Sequence, residues 1–401
     1  MTRTQCPAAR IFRELAPARI MRGATPRLRR NGPRIRPATG DGTSVATTTD
    51  RRAAVVGRGS PCPRQKCTLA MLGLVAIAVL VAAGTAPAAP PAAAPTPAPN
   101  PYGVMVGGSG LTLKSRLEVA RKLGVAFVRP WDLTLSEWGG FHKDIEAFQA
   151  EGFGIVITIR NTGDRGGPDT SPSKPPLDLA NYQRRLGEVL DKYQPSLIAI
   201  EDEESSATRF AGTPEQYAAM LAAACETAHT RGVRCTNGGI PAKVLALLVT
   251  EHYRAQDKDD LADDFFDRAL SESERGAIRG PGGKEKTARA IDKGKQYLAG
   301  YSKARADYVN VHWDEPDASA LEEAIAYVRA ATGLPVVTNA LATSSSDDDD
   351  VAALLAATRK AGMSLVVWAS VDRGDRRALQ NPDGALRSTG RAFARFVREG
   401  K

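Results

Sequence analysis

The feature that most restricts the fold of this chain is an alternation, between residues 101 and 401, of short apolar runs with amphipathic stretches. The apolar runs are rich in Val, Ile and Leu, as strands buried on both faces of a parallel sheet are. The amphipathic stretches have the spacing of surface helices. Eight such units follow one another, and their predicted strands are residues 102–106, 125–129, 154–160, 197–203, 233–237, 308–312, 336–340 and 365–369.

Eight strand–helix units in about 300 residues predict one α/β domain, the (β/α)8 TIM barrel, over residues 101–401. The rival fold is an open, doubly wound sheet, which usually carries a GxGxxG phosphate turn after its first strand. The sequence at that point, Gly107-Gly108-Ser109-Gly110, lacks this spacing. We therefore favour the barrel and expect no nucleotide cofactor.

The net charge of the chain, +9, comes from the segment in front of the predicted barrel. Residues 1–67 hold 15 Lys and Arg against 3 Asp and Glu, whereas the rest of the chain holds 39 against 42. The globular part is therefore mildly acidic, and its bulk charge gives no reason to expect nucleic-acid binding. We expect residues 1–67 to be a disordered basic leader, or a segment that precedes the true translation start.

Residues 68–89 have the pattern of a secretory signal peptide, with a basic flank, an apolar run and small residues at its exit. Residues 90–100 form a Pro/Ala linker, which is extended and semi-stiff. We expect export to the periplasm or the extracellular space. The alternative is an uncleaved signal anchor, which would be the only contact of this protein with a membrane.

The sequence offers no motif for a metal or another cofactor. The chain has 4 His, which are dispersed, and 5 Cys, which include no CxxC pair. Cys225 and Cys235 are predicted to lie on a helix and on the strand that follows it. Export would permit a disulfide between them, but helix and strand layers lie ~10 Å apart, which favours free thiols.

Polar residues gather at the predicted carboxyl ends of the strands, where TIM barrels carry their sites. Arg129 ends the second strand, residues 201–204 (Glu-Asp-Glu-Glu) end the fourth, and residues 312–315 (His-Trp-Asp-Glu) end the sixth. Side chains alternate along a strand. Placing the apolar residues of each strand toward the helices leaves Glu203, Asn310 and His312 inside the barrel or at its mouth.

All four tryptophans, Trp131, Trp138, Trp313 and Trp368, fall at or just beyond a predicted strand end. Flat aromatic faces at the mouth of a cleft bind the apolar faces of sugar rings. Packing at the barrel rim is the alternative for each ring alone. Together the four rings predict a carbohydrate-binding cleft.

With these strand ends the chain resembles the clan A glycoside hydrolases, secreted (β/α)8 barrels that cleave polysaccharides and glycosides. The family pattern has Arg after the second strand, Asn-Glu after the fourth, His or an aromatic residue at the sixth, Glu at the seventh and Trp at the eighth. Arg129, Glu203, His312 and Trp368 stand at matching positions. The resemblance covers residues 101–400 and implies that Glu203 is the general acid/base, with Asp202 where the family has Asn.

The chain departs from this pattern at the seventh strand, where Ala340 stands in place of the nucleophilic Glu. Retaining glycosidases need two carboxyl groups about 5–5.5 Å apart. Three alternatives stay open: the barrel binds glycans without cleaving them, an inverting arrangement uses a more distant carboxylate, or another acid serves. The candidates for that acid are Asp314, Glu315 and Asp372.

The predicted function is therefore that of an exported glycoside-hydrolase-like barrel, with a non-catalytic glycan-binding barrel as the alternative. Glu203, as one of four consecutive acids, is biased toward the protonated form that a general acid needs. A solvated acidic strand end is the alternative for Glu203, and a structural ion pair is the alternative for Arg129. The predicted substrate-binding residues are Arg129, Trp131, Trp138, Asp202, Asn237, His312, Trp313, Asn339 and Trp368.

Overall fold

The computed structural model describes residues 100–107, 110–163, 171–372 and 377–400. The sequence-based assignments for residues 1–67 and 68–89 and for the linker before residue 100 lie outside these residues. No helix within the described ranges is both long and apolar enough to cross a membrane.

The described residues form a barrel of parallel strands. The strands are β1 (Tyr102–Met105), β2 (Phe127–Arg129), β3 (Leu133–Thr134), β4 (Gly154–Arg160), β5 (Leu197–Ile200), β6 (Cys235–Asn237), β7 (Val309–Trp313), β8 (Val336–Leu341) and β9 (Val366–Trp368). Neighbouring strands follow the order β6-β5-β4-β2-β1-β9-β8-β7, and the short β3 follows β2 and also pairs with β4. Parallel bridges between Thr236 and Tyr308 and between Ile240 and Val311 join the two ends of this order. The predicted TIM barrel is therefore confirmed.

Helices cover the outside of the barrel. Within the described ranges they are α1 (Leu113–Leu123), α2 (Lys143–Ala150), α3 (Leu179–Tyr193), α4 (Pro214–His229), α5 (Ala242–Arg254), α6 (Asp259–Ala269), α7 (Glu272–Arg279), α8 (Gly283–Lys303), α9 (Ala318–Thr332), α10 (Asp348–Lys360) and α11 (Ser388–Glu399). The long charged stretch between the predicted fifth and sixth strands forms α5 to α8. Helix α4 begins where the Thr213-Pro214 pair predicts, because Thr213 Oγ1 accepts from Gln216 N at 3.2 Å and Gln216 Oε1 accepts from Thr213 N at 2.9 Å.

The apolar side chains form two layers that follow the alternation of the strands. Ile198 and Ile200 on β5 belong to the outer layer, between the strands and the helices. Leu197, which precedes Ile198, faces the barrel axis, together with Val156, Tyr308, Val337, Leu365 and Val367. Gly103 leaves room for this inner layer, since a Cβ there would lie 2.9 Å from Phe127 Cβ.

Two sequence-based expectations are corrected here. The fourth predicted strand ends at Ile200 instead of Glu203, because Glu201 has a left-handed backbone with φ of 67°. Cys225 on α4 and Cys235 on β6 form a disulfide, with their Cα atoms 5.2 Å apart. The layer spacing that favoured free thiols does not apply, because the short turn at Gly232 brings the end of α4 close to the start of β6.

The disulfide closes a loop between residues 10 apart in sequence, and a loop of that length is worth roughly 2–3 kcal/mol through the entropy of the unfolded chain. The double variant Cys225→Ala/Cys235→Ala should lose about this much free energy of unfolding, measured by urea denaturation. A reductant should destabilise the wild type and leave the double variant unchanged. Equal stability of the two oxidised proteins would contradict the prediction.

Candidate functional site

A cleft of about 470 Å³ opens at the carboxyl ends of the barrel strands. Residues at or just beyond the ends of β1, β2, β4, β5, β7, β8 and β9 contribute to its lining. Most of its polar lining is charged, and both signs are equally represented. The titratable side chains are those of Arg129, Asp132, Arg160, Asp202, Glu203, Arg209, Lys243, Glu274, His312, Asp314 and Arg377.

The four consecutive acids at residues 201–204 lie at this edge of the barrel, and their backbone is not that of a β-strand. Glu201 and Glu203 have φ values of 67° and 50°, in the left-handed region that non-glycine residues seldom adopt. Such residues cost about 1–3 kcal/mol each and tend to occur at functional sites. The changes of chain direction at Glu201 and Glu203 give the four carboxyl groups four different sets of neighbours. The alternation of side chains along a strand could not predict this, because the strand ends at Ile200.

Glu201 is fully buried and is not part of the described cleft lining. Its Oε1 accepts hydrogen bonds from Asn161 N and from Ser173 Oγ, both at 2.9 Å. Burial outweighs these bonds and raises the pKa of Glu201 to about 8. This carboxyl group therefore joins the end of β4 to the loop around Ser173.

Glu204 is also fully buried, on the opposite side of the run. Its Oε1 accepts from Asn237 Nδ2 at 3.1 Å and from the Tyr301 hydroxyl on α8. Burial raises the pKa of Glu204 in spite of these hydrogen bonds. Its role is structural, because it orients Asn237 inside the barrel.

Asp202 lines the cleft in an ion pair with the buried Arg129. Arg129 Nη2 lies 3.2 Å from Asp202 Oδ1 and 3.2 Å from Asp132 Oδ1, and its Nη1 donates to Asn339 O at 3.1 Å. Burial alone would raise the pKa of Asp202, but the charges of Arg129, His312 and Arg209 outweigh burial and lower it. Asp202 is therefore held ionised. Burial and the charge of Asp202 raise the pKa of Asp132.

Glu203 is the carboxyl group of the run that reaches the cleft without a buried arginine partner. Its Oε1 lies 3.2 Å from His312 Nδ1, and its Oε2 lies 3.9 Å from Nε of the half-exposed Arg209. The Glu203 side chain is 30% exposed, whereas that of His312 is 9% exposed. Burial disfavours a charged His312, but the hydrogen bond and charge of Glu203 prevail and raise the pKa of His312.

Three buried asparagines inside the barrel, Asn237 on β6, Asn310 on β7 and Asn339 on β8, form what we term the asparagine ladder. Asn310 N donates to Asn237 Oδ1 at 2.7 Å, and Asn339 N donates to Asn310 Oδ1 at 2.9 Å. Asn310 Nδ2 donates to Asn339 Oδ1 at 2.9 Å. His312 Nε2 lies 2.9 Å from the same Asn339 oxygen, so the ladder supports the imidazole that faces Glu203.

The three candidates for a second carboxylate lie in different places. Asp314 lines the cleft, 3.4 Å from Arg377 Nη1, and burial raises its pKa, with a smaller contribution from the charge of Glu203. Neither Glu315 nor Asp372 is among the described residues that line the cleft. Burial raises the pKa of Glu315 to about 7, and its backbone oxygen accepts from Trp313 Nε1 at 2.8 Å.

Ala340 on β8, which the sequence predicts at the position of the nucleophile, pairs with His312 and lines the cleft. The register of β7 and β8 shifts between Asn310 and His312. Asn339 and Ala340 are adjacent residues at this register shift. Ala340 lines the cleft, whereas the Asn339 side chain accepts a hydrogen bond from Asn310 in the asparagine ladder.

The tryptophans do not form the aromatic surface that their sequence positions predict. Trp131 lines the cleft and is partly exposed. Trp313 also lines it, but its ring is 1% exposed. Trp138 and Trp368 do not appear in the described lining, and they pack on Tyr193 and Phe393 in the outer core. Their predicted placement in the cleft is corrected, because apolar rings near the barrel rim are covered by the surrounding helices.

Asn237 and Asn339, predicted to bind substrate, lie in the ladder instead of the described cleft lining. Six charged lining residues were absent from the predicted set, namely Asp132, Arg160, Arg209, Lys243, Glu274 and Arg377. Asp132 could have been predicted, because it lies three residues after Arg129 at the end of a strand. Arg209 and Arg377 come from loops, whose course no periodicity predicts.

No group of three or more His, Cys, Asp or Glu side chains in the described part of the chain is arranged to hold a metal ion. Two of the cleft carboxylates, Asp132 and Asp202, already share the guanidinium of Arg129.

No protein-family model and no curated protein matches the chain. The barrel is similar to a GH128 endo-β-1,3-glucanase of Amycolatopsis mediterranei crystallised with laminarihexaose, with 13% identity over 74% of this chain and 99% of that chain, at a TM-score of 0.44. A GH128 oligosaccharide-binding protein of Trichoderma gamsii shows 10% identity over 76% and 96%, at 0.44. A fungal β-1,4-galactanase shows 11% over 73% and 98%, also at 0.44. Similarity at this level does not transfer an activity.

The buried Glu201 makes stability depend on pH. Its folded pKa of about 8 exceeds the ordinary value of 4.5, so between these values the folded state binds more protons and the free energy of unfolding falls as the pH rises. Glu201→Gln should gain stability relative to the wild type from pH 5 to pH 8, by up to about 1.4 kcal/mol per pH unit. Urea unfolding over this range measures the difference.

The matched control is Glu285→Gln on α8, whose carboxylate is 74% exposed. Its stability relative to the wild type should not vary with pH. A Glu201→Gln curve parallel to that of the wild type would contradict the assigned pKa shift.

Proposed function

We propose that this protein is an exported, glycoside-hydrolase-like barrel that binds a polysaccharide or glycoside in the cleft, with Glu203 as its general acid and base. The observation that carries the proposal is the position of Glu203. Its carboxyl group reaches the cleft at the end of a barrel strand and faces His312 Nδ1 at 3.2 Å. General acid–base chemistry needs a carboxyl group that can both hold and release a proton at the site where a ligand binds.

The chemistry of the cleft suits a ligand rich in hydroxyl groups. Arginines and carboxylates both line it, and a sugar hydroxyl can donate to a carboxylate and accept from an arginine. The two signs balance, so the cleft does not select a strongly charged ligand. Trp131 adds a partly exposed aromatic face, and a volume of about 470 Å³ lies within the range of small-molecule sites.

Asp314 is the best candidate for the second carboxylate. It is the one of the three predicted acids found in the described cleft lining, and the charge of Glu203 contributes to the rise in its pKa. In this proposal Glu203 protonates the leaving-group oxygen, while Asp314 activates a water or stabilises the positive charge that develops on the sugar.

A non-catalytic glycan-binding barrel is the second candidate, and Ala340 favours it. This residue lines the cleft. If it stands at the nucleophile position of the resembled family, as the sequence suggests, its methyl group can neither attack the anomeric carbon nor stabilise a cation. A proton donor without a second carboxylate would bind sugars and leave them intact.

The disulfide between Cys225 and Cys235 supports the proposed export, since such bonds persist in oxidising compartments. The apolar pattern of residues 68–89 supports it independently.

The test is hydrolysis of a panel of glycans, including laminari-oligosaccharides and β-1,4-galactan, by the wild type and three variants. Glu203→Gln should lower kcat by about 10²–10⁴ and retain binding, because the amide preserves the shape of the carboxyl group but cannot transfer its proton. Asp314→Asn should also lower kcat. The exposed-site control Glu285→Gln should match the wild type. Calorimetry measures binding separately from turnover.

Three outcomes would change the proposal. Unchanged hydrolysis by Glu203→Gln would exclude Glu203 as the acid. Binding without turnover by the wild type would select the glycan-binding alternative. A wild type that neither binds nor cleaves any glycan of the panel would contradict a carbohydrate function.

A further inference from the structure

We infer that Asn339 is a positioning residue: it fixes the tautomer of His312, so that His312 Nδ1 faces Glu203 and the two side chains hold one proton between them. The catalytic meaning of this inference rests on the proposed function, but the tautomer itself does not. A backbone amide, which can only donate, fixes the orientation of the first side chain, and hydrogen bonds connect that side chain to the imidazole.

The first step fixes the orientation of the Asn310 side chain. The backbone N–H of Asn339 donates to the terminal side-chain atom of Asn310 at 2.9 Å, so that atom is the oxygen Oδ1. The other terminal atom is then Nδ2, and it points toward Asn237 O at 3.4 Å. The reverse orientation would place two donors together at one end and two acceptors at the other.

The second step fixes Asn339. Asn310 Nδ2 lies 2.9 Å from the terminal atom of Asn339, which must therefore be its oxygen. Nδ2 of Asn339 then lies 3.4 Å from Thr158 Oγ1, which can accept from it. The Asn339 oxygen also lies 2.9 Å from His312 Nε2. A carbonyl oxygen only accepts, so His312 Nε2 carries a hydrogen atom.

The contact between His312 and Glu203 requires a proton. A neutral imidazole with its hydrogen on Nε2 has only a lone pair at Nδ1. If Glu203 were ionised, its Oε1 and His312 Nδ1, which lie 3.2 Å apart, would both be acceptors and could not form a hydrogen bond. The contact is a hydrogen bond only when one proton sits on Nδ1 or on Glu203 Oε1. The pair therefore holds a proton that a general acid can deliver.

The surroundings of His312 favour this extra proton. Asp202 and Glu204, from the loop after β5, and Asp314, from the end of β7, interact with His312 as negative charges. Arg129 on β2 opposes them. The backbone at Gly239 packs against the ring, since a Cβ there would lie 2.1 Å from Nε2.

The experiment needs no substrate. Long-range 1H–15N spectra of protein labelled at its histidines distinguish Nδ1–H, Nε2–H and doubly protonated rings. The chain has 4 His, and His312→Gln identifies the signal of interest. In the wild type we expect the Nε2–H tautomer at high pH and a pKa above the ordinary value of 6.5. In Glu203→Gln the pKa should fall by about one unit or more, since its negative partner is gone.

Asn339→Leu removes the acceptor at Nε2 and should produce a mixture of tautomers, while the signal of the distant His252 stays unchanged. Asn339→Asp is the conservative variant, because it retains an acceptor and should retain the Nε2–H tautomer if Asn339→Leu fails to fold. An Nδ1–H tautomer in the wild type, or a His312 pKa that does not respond to Glu203→Gln, would overturn the inference.

These results separate the inference from the proposed function. The tautomer can be confirmed in a protein that cleaves no glycan, which would reject only the hydrolase. If the protein is active, Asn339→Leu should move the alkaline limb of its kcat/KM profile to lower pH, an effect that a purely structural loss would not cause.

Discussion

The asparagine ladder is the interaction on which the cleft depends. Strand pairing between β6 and β7 consists of two isolated bridges, and the register of β7 against β8 is irregular at the same height. Side-chain amides of Asn237, Asn310 and Asn339 supply hydrogen bonds to the backbone there. Each amide has a donor and an acceptor, so the ladder satisfies buried backbone groups and orients the next side chain at the same time. Rigid support of this kind is what a catalytic side chain requires.

The second constraint is the separation of four consecutive carboxyl groups. Two left-handed residues direct Glu201 and Glu204 into opposite buried sites and Asp202 onto Arg129, which leaves Glu203 in the cleft. Neighbouring acids of one chemical type thereby acquire different pKa values and different roles. Glu204 also contacts Asn237. The acidic run and the ladder are therefore one connected hydrogen-bond network from the Tyr301 hydroxyl to the Glu203 carboxyl group.

Much of the fold could be predicted, because strands that are buried on both faces are rich in Val, Ile and Leu, and such runs are visible in the sequence. The alternation of apolar runs and amphipathic stretches predicted the barrel, and parity within strands placed Ile198 and Ile200 outside and His312 inside. Parity has no meaning beyond Ile200, the last residue of β5, and so it could not predict that Asp202 pairs with Arg129 in the cleft. An aromatic residue at a strand end does not by itself predict a place in the cleft, because Trp138 and Trp368 pack on Tyr193 and Phe393 in the outer core.

The sequence by itself therefore determined the barrel, the edge at which its polar residues gather, and Glu203 as the acid most worth considering. Local physical rules suffice for these conclusions, because the alternation of side chains and the direction of each strand depend only on residues close together in the sequence. Only the tertiary structure decided which acids are buried, that Cys225 meets Cys235, and that Asn339 supports His312 instead of facing the cleft. The disulfide depends on the local turn between α4 and β6. The other contacts join residues farther apart in the chain, and their distances depend on the closure of the whole barrel.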